Sequence, residues 1–196
     1  MNRKKFLRLS GASTLGIIAS SPLVGGMAAP SPETYVFSDD GHIPNSRYPL
    51  LVYRRAFTAV GLAGAIWLEK HFAANKWLNS WRNGVFPYHH YHSTSHEVLG
   101  VYSGVALLHL GGEKGKPMRV AAGDILVIPA GVGHKKLEAS EDFGVVGAYP
   151  DGRSYDVLRG EEGERPGADQ RIAVLPRPTL DPLTGRQGGV QQYWRA

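Results

Sequence analysis

The sequence predicts an all-β domain of jelly-roll type, with one short helix ahead of the barrel and an extended tail behind it. Between Gly84 and Tyr149 the chain breaks into short segments of strand character, near Val85 to His92, His96 to Tyr102, Val105 to Leu110, Met118 to Ala121, Ile125 to Ile128, His134 to Leu137 and Phe143 to Ala148. Their short lengths and apolar alternation are the period of half-buried strands. Glycine turns separate them, GGEKGK at 111–116 being the clearest. The 196 residues hold no internal repeat and only one His-x-His, so a single barrel is expected, large enough to bury a core without staples.

Residues 1–30 read as an export signal, which places the mature protein in the periplasm or outside the cell. Arg3, Lys4, Lys5 and Arg8 precede a weakly apolar run that closes on small residues at Ala28 and Ala29, where cleavage is expected. Arg3-Lys4-Lys5-Phe6-Leu7-Arg8 is similar to the twin-arginine motif with Lys for the second Arg; a Sec signal or an uncleaved amphipathic start is the alternative. The run is too short and too rich in Gly and Ser to span a bilayer stably. Its four cations supply most of the net charge of +5, so the body of the protein has no electrostatic case for binding nucleic acid. Cysteine is absent, which excludes disulfides, thiolate nucleophiles and sulfur-ligated metals.

Residues 31–196 form the single domain. It should open with strands near Thr34 to Phe37 and Leu50 to Arg54, separated by a turn at Ser38 to Gly41. Gly61 to Asn75 shows helical spacing, with Leu62, Ile66 and Ala73 in one apolar row and Ala63, Ile66 and Trp67 in a second. Trp77 and Trp81 follow as core or lid residues. After Pro150 the composition turns to Gly, Pro and charge, so 151–196 is expected to wrap the barrel or a neighbouring subunit as a mostly extended tail. Val190 to Trp194 would end it as a short strand or an anchoring plug.

The chemistry concentrates at 84–104. His90 and His92 are two apart, so on a strand both project from one face and can chelate. Ser93 to His96 is short enough for a hairpin turn, after which Glu97 on a returning strand faces the same point. His134, past a buried strand and a Pro-Gly turn, supplies a third imidazole. Three imidazoles and a carboxylate suit divalent iron, manganese, nickel, cobalt or zinc better than calcium or copper(I). His89 and Tyr91 alternate away from this point, and His96 belongs either to the turn surface or to the cavity rim. His42, His71 and His109 receive no role. Glu138 lies four residues beyond His134 and is either an acceptor behind the ligands or a surface residue. Lys136 shares the inward parity of His134, whereas Lys135 reads as a solvated edge. Leu99 and Val101, with Phe86 and Tyr88, would make the cavity wall apolar and aromatic, as a small organic ligand requires. No Gly-x-Ser-x-Gly is present, so a serine triad finds no support.

These residues carry a resemblance. Gly84-x5-His90-x-His92-x4-Glu97-x6-Gly104 resembles the first cupin motif at every fixed position, and Gly123-x5-Pro129-x-Gly131-x2-His134 resembles the second. The second motif usually continues with Asn where this chain has Glu138. DDGHIPN, LEASEDFGVVGAYPDG and the closing GVQQYW are similar to the narrower group of YjlB-like single-domain cupins, over nearly all of 34–196. The resemblance implies an RmlC-like jelly roll, a double-stranded β-helix with one divalent metal in its mouth, and pairing into a homodimer through sheet edges. Four protein ligands would leave two adjacent octahedral positions for water, dioxygen or a chelating substrate. A redox-active ion there implies a dioxygenase; an ion acting as a Lewis acid implies an isomerase or decarboxylase; a barrel without turnover would bind metal or a small ligand. The sequence leaves all three open, and catalytic residues beyond the ligands unassigned.

Overall fold

The strand pattern resolves into two antiparallel sheets packed face to face. A computed structural model of the chain describes residues 31–195; the expected export signal lies outside them. The elements run β1 (Glu33–Tyr35), β2 (Leu50–Tyr53), α1 (Gly61–Ala74), β3 (Trp77–Asn83), β4 (Glu97–Ser103), β5 (Val105–Leu110), β6 (Lys116–Ala121), β7 (Ile125–Ile128), β8 (His134–Ala139), β9 (Gly144–Pro150), α2 (Gly167–Val174) and α3 (Gly189–Tyr193). The larger sheet has the order β1-β2-β7-β4-β9-β3 and the smaller one β6-β5-β8. This is the jelly roll that the strand and turn pattern predicts. No helix of the described residues is long and apolar enough to cross a membrane.

Apolar residues fill both faces of the larger sheet. Its inner face packs Leu50, Val52, Leu99, Leu126 and Val145 against Leu108 and Leu110 of the smaller sheet. Its outer face packs Leu51, Val98, Val127 and Val146 beneath Leu68 and Phe72 of α1 and the end of the tail. Double burial explains why β2 and β7 read as continuous apolar runs, LLVY and ILVI, rather than as alternation.

The helix is where expected, but its buried stripe is Gly64, Ala65, Leu68 and Phe72. Leu62 and Ile66, expected to face the sheet, are exposed. Gly100 of β4 sets the phase: a Cβ there would stand 2.5 Å from a Leu68 methyl, so the missing side chain lets Leu68 seat on the strand.

Two further expectations are corrected. Val85 to His92 is not a regular strand. Lys136 N–H donates to the Phe86 carbonyl at 2.8 Å, His90 bridges His134, and Tyr91 bridges Leu158 of the tail. The segment is extended but changes partner every residue or two, and Pro87 has no N–H to give. Nor is Ser93 to His96 a hairpin turn. Its flanks belong to opposite sheets: His90 attaches to the β8 end of the small sheet, while β4 pairs with β7 and β9 in the large one. The run crosses between sheets, and Ser93, Ser95 and His96 are buried.

The tail wraps the barrel, as expected, but carries α2 and α3 where composition suggested extended chain. Its end is held by a buried carboxylate. Asp181 accepts hydrogen bonds from Tyr53 Oη (2.6 Å) and from the backbone N–H groups of Leu183, Thr184 and Val190. Beyond them Trp194 is fully buried, stacked on Tyr48 with its indole N–H donating to the Pro49 carbonyl at 2.7 Å.

Candidate metal centre

The crossing at 93–96 places Glu97 at the start of β4 opposite His134 at the start of β8, and the gap between the sheets opens between them. His90, His92 and His134 each bring one ring nitrogen within 4.8 Å of the others, and all three side chains are buried. Glu97 Oε2 lies 3.2 Å from His134 Nε2 and 3.5 Å from His92 Nε2. The structure thus brings together the four residues singled out by spacing.

Backbone carbonyls orient two of the rings. His92 Nδ1 donates to the Asp156 carbonyl, and His134 Nδ1 donates to that of Val132 at 3.2 Å. A carbonyl can only accept, so both rings carry a proton on Nδ1 and turn Nε2 toward Glu97. Glu97 is oriented from its other side: Tyr149 Oη donates to Oε1 at 2.9 Å and accepts from Trp81 Nε1 at 2.8 Å. Oε2 is left facing the imidazoles.

Burial and charge tune the group. Desolvation pushes the His90 pKa down to about 2, with the neighbouring His134 and His92 acting in the same direction. Burial lowers that of His92 too, but the Glu97 charge outweighs it and raises the pKa overall. Burial pushes Glu97 up, yet His92 and His134 hold it well below the usual carboxylate range. The pocket favours a positive charge beside Glu97, whether a proton or a metal ion supplies it. His90 Nδ1, His92 Nε2 and Glu97 Oε2 are buried without a hydrogen-bond partner, an expensive arrangement unless something coordinates them. The donor set therefore fits a divalent transition ion.

The centre forms the floor of a cavity of about 350 Å³, walled by Trp81, Phe86, Leu99, Lys136, Tyr149 and Tyr155. Leu99 and Lys136 line it, as inward parity suggests. Val101 lies deeper in the core, and Tyr88 stands behind the wall, stacked on Phe86 at 5.0 Å. Glu138 does not reach the site. A bulge between Lys136 and Glu138 shifts the register, so Lys136 opposes inward-facing Leu108 while Glu138 opposes outward-facing Leu107 and is exposed. His96 belongs to neither place expected for it. It is buried behind the site, its Nδ1 accepting from the Ala130 N–H at 2.9 Å, against Trp194. His89 points away from the centre, as its alternation predicts, toward Glu113 and His109.

Sequence reasoning missed Tyr149, Tyr155 and Asp156, and it gave Trp81 a place in core or lid without its hydrogen bond to Tyr149. The Asp156 carboxylate accepts from the N–H groups of Ser93 (2.7 Å) and Thr94 (3.2 Å), so the tail fixes the crossing that carries His92. Nothing local marks these residues, because each acts on a partner far away in the chain.

Two antiparallel sheets enclosing buried imidazoles and a carboxylate at one end define a cupin barrel, and residues 81–142 match the Cupin domain family. The chain belongs to the cupin family. It is 47% identical over 163 residues to a Bacillus subtilis (strain 168) protein named "Uncharacterized protein YjlB", covering 83% of this chain and 96% of that one. Among solved structures, a deletion mutant of Bacillus subtilis oxalate decarboxylase OxdC is similar at 17% identity over 66% of this chain and 30% of that one, with a TM-score of 0.35. Acireductone dioxygenase from Bacillus anthracis, with a cadmium ion in its active center, gives 17% identity, 47% and 61% coverage and a TM-score of 0.33. Procruciferin, an 11S globulin from Brassica napus, gives 22% identity and 0.33, the chain spanning 20% of its length. The chain spans less than two thirds of each of these solved proteins.

Proposed function

We propose that His90, His92, His134 and Glu97 hold one divalent transition ion, and that the chain is a small-molecule enzyme of the metal-dependent dioxygenase type. The observation that carries this reading is a buried cluster of three imidazole nitrogens within 4.8 Å, beside an unpartnered carboxylate oxygen, at the floor of an open cavity. Four protein donors would leave a bound ion room for further ligands, and the same four residues line the cavity from which such ligands would come. When bound, the ion supplies Lewis acidity and, if redox-active, a path for electrons between an organic ligand and dioxygen. The chain does the rest. The Asp156 and Val132 carbonyls keep His92 and His134 in the metal-binding tautomer, Tyr149 holds Glu97, and Leu99, Phe86 and Tyr155 exclude bulk water from the ligand.

The test is to purify the full chain, measure bound metal by mass spectrometry, and follow dioxygen uptake with diols, enediols and oxalate-like acids. A redox-active ion with substrate-dependent uptake supports the reading; a tightly held ion without uptake across the panel reduces the protein to a binding module. His92→Ala and Glu97→Ala should each lower metal occupancy at least about ten-fold while the barrel stays folded. Full occupancy in both would remove these residues from the ligand set.

A further inference from the structure

We infer that the molecule taken by this cavity is a small carboxylic acid, with one oxygen donor at the centre and a carboxylate held by Lys136. The inference rests on the metal reading above and adds the chemistry of the ligand to it.

Charge accounting around the cavity leads there. Its wall carries two permanent cations, Arg82 and Lys136. Arg82 is engaged, since its Nε and one terminal nitrogen each donate at 2.7 Å to the Glu69 carboxylate of α1. Lys136 has no ion pair or side-chain hydrogen bond among the described residues and is half-buried. Its backbone is fixed, with its N–H bonded to the Phe86 carbonyl at 2.8 Å. The one carboxylate in the wall, Glu97, accepts from Tyr149 on one oxygen and turns the other toward His92 and His134 at the centre, so it makes no ion pair with Lys136. With a divalent ion in place the cavity would hold two charges from the ion, one from Lys136 and one opposing charge from Glu97. An excess of positive charge in a pocket with apolar walls selects an anion.

Geometry limits its size. His134 and Lys136 are two residues apart on β8, opposite Leu110 and Leu108, so their side chains leave the same face about 7 Å apart along the strand. A ligand bridging the centre and the ammonium needs two oxygen functions separated by a short carbon chain or a ring, with its middle against Phe86, Leu99 and Tyr155. Hydroxy acids, oxo acids and dicarboxylates of about three to six carbons meet that description, and the cavity of about 350 Å³ accommodates them.

The experiment titrates manganese-loaded full-length protein with lactate, malate, succinate, glutarate and dimethyl succinate by calorimetry, for wild type, Lys136→Met and Lys136→Arg. At least one dicarboxylate should bind the wild type. Lys136→Met should weaken it about ten- to hundred-fold, the loss expected for a charge-assisted hydrogen bond, and Lys136→Arg should stay within a few-fold. Dimethyl succinate, which has no carboxylate for Lys136, should bind weakly and lose nothing further in Lys136→Met. Equal succinate affinity in wild type and Lys136→Met overturns the inference, as does failure of every acid to bind the wild type. Metal content separates the two readings. A fully loaded wild type whose acid binding ignores Lys136 refutes this inference alone, whereas a wild type that holds none of manganese, iron, nickel, cobalt or zinc refutes both.

Discussion

Tyr149 does for Glu97 what backbone carbonyls do for His92 and His134: it commits one end of the ligand so that the other faces the site. Tyr149→Phe keeps the ring stacked on Tyr155, 4.2 Å away, but strands Trp81 Nε1 and Glu97 Oε1. We expect zinc affinity, read by chelator competition, to fall about ten-fold or more, as for other residues that orient a ligand. Unchanged affinity would show that Glu97 needs no such support. The convergence of the four proposed ligands was legible in the sequence because spacing on extended chain fixes direction, and that held for His90 and His92 even where no regular strand forms. Glu138 was not legible, since one bulged residue reverses parity and composition does not announce a bulge. Tyr149 and Asp156 act across the fold, and no local pattern names their partners.

The contact between α1 and β4 depends on an absent side chain. Gly100→Ala would drive a Cβ to 2.5 Å and 2.8 Å from the two methyls of buried Leu68. Urea denaturation should show a loss of about 1–3 kcal/mol from overpacking, and adding Leu68→Ala should make the pair less than additive. Additive losses would mean that the helix shifts instead. The turn at 39–43 is held differently. Asp40 accepts backbone N–H bonds from His42, Ile43 and Glu113. Burial pushes its pKa up, but those bonds outweigh it and lower the pKa overall. A lowered folded pKa means that this stabilisation is complete above the ordinary aspartate value near pH 4 and is lost as pH falls below it. Asp40→Ala should therefore cost about 1 kcal/mol at pH 7 and progressively less below pH 4; a cost independent of pH would assign the effect to packing. Most strands were legible from their apolar runs, but β3 was not, being largely exposed and polar, and nor was the phase of α1, because Leu62 and Ile66 look like core until Gly100 is placed beneath Leu68.

The barrel closes over its own tail. Trp194 and Asp181 clamp the last residues onto Tyr48 and Tyr53, so Trp194→Ala should cost about 3–5 kcal/mol in denaturant although it lies outside the sandwich. A near-neutral result would make the tail an ornament. The donors come from both sheets and a crossing pinned by the tail, so metal should stabilise the whole fold. Zinc at a hundred times its dissociation constant should add about 2.7 kcal/mol, visible as a higher melting temperature. The tail's Gly, Pro and charge left open whether it wraps the barrel or a neighbouring subunit, and α2 and α3 were not readable there, since their stability comes from docking rather than propensity. The bond from His92 to Asp156 spans 64 residues and has a consequence for biosynthesis. A nascent polypeptide whose last strand has just emerged from the ribosome still holds inside the tunnel the carbonyl that sets the imidazole. The proposed ion would be gripped fully only after that aspartate has emerged, and a fragment stopped at Pro150 should release zinc faster than the finished protein.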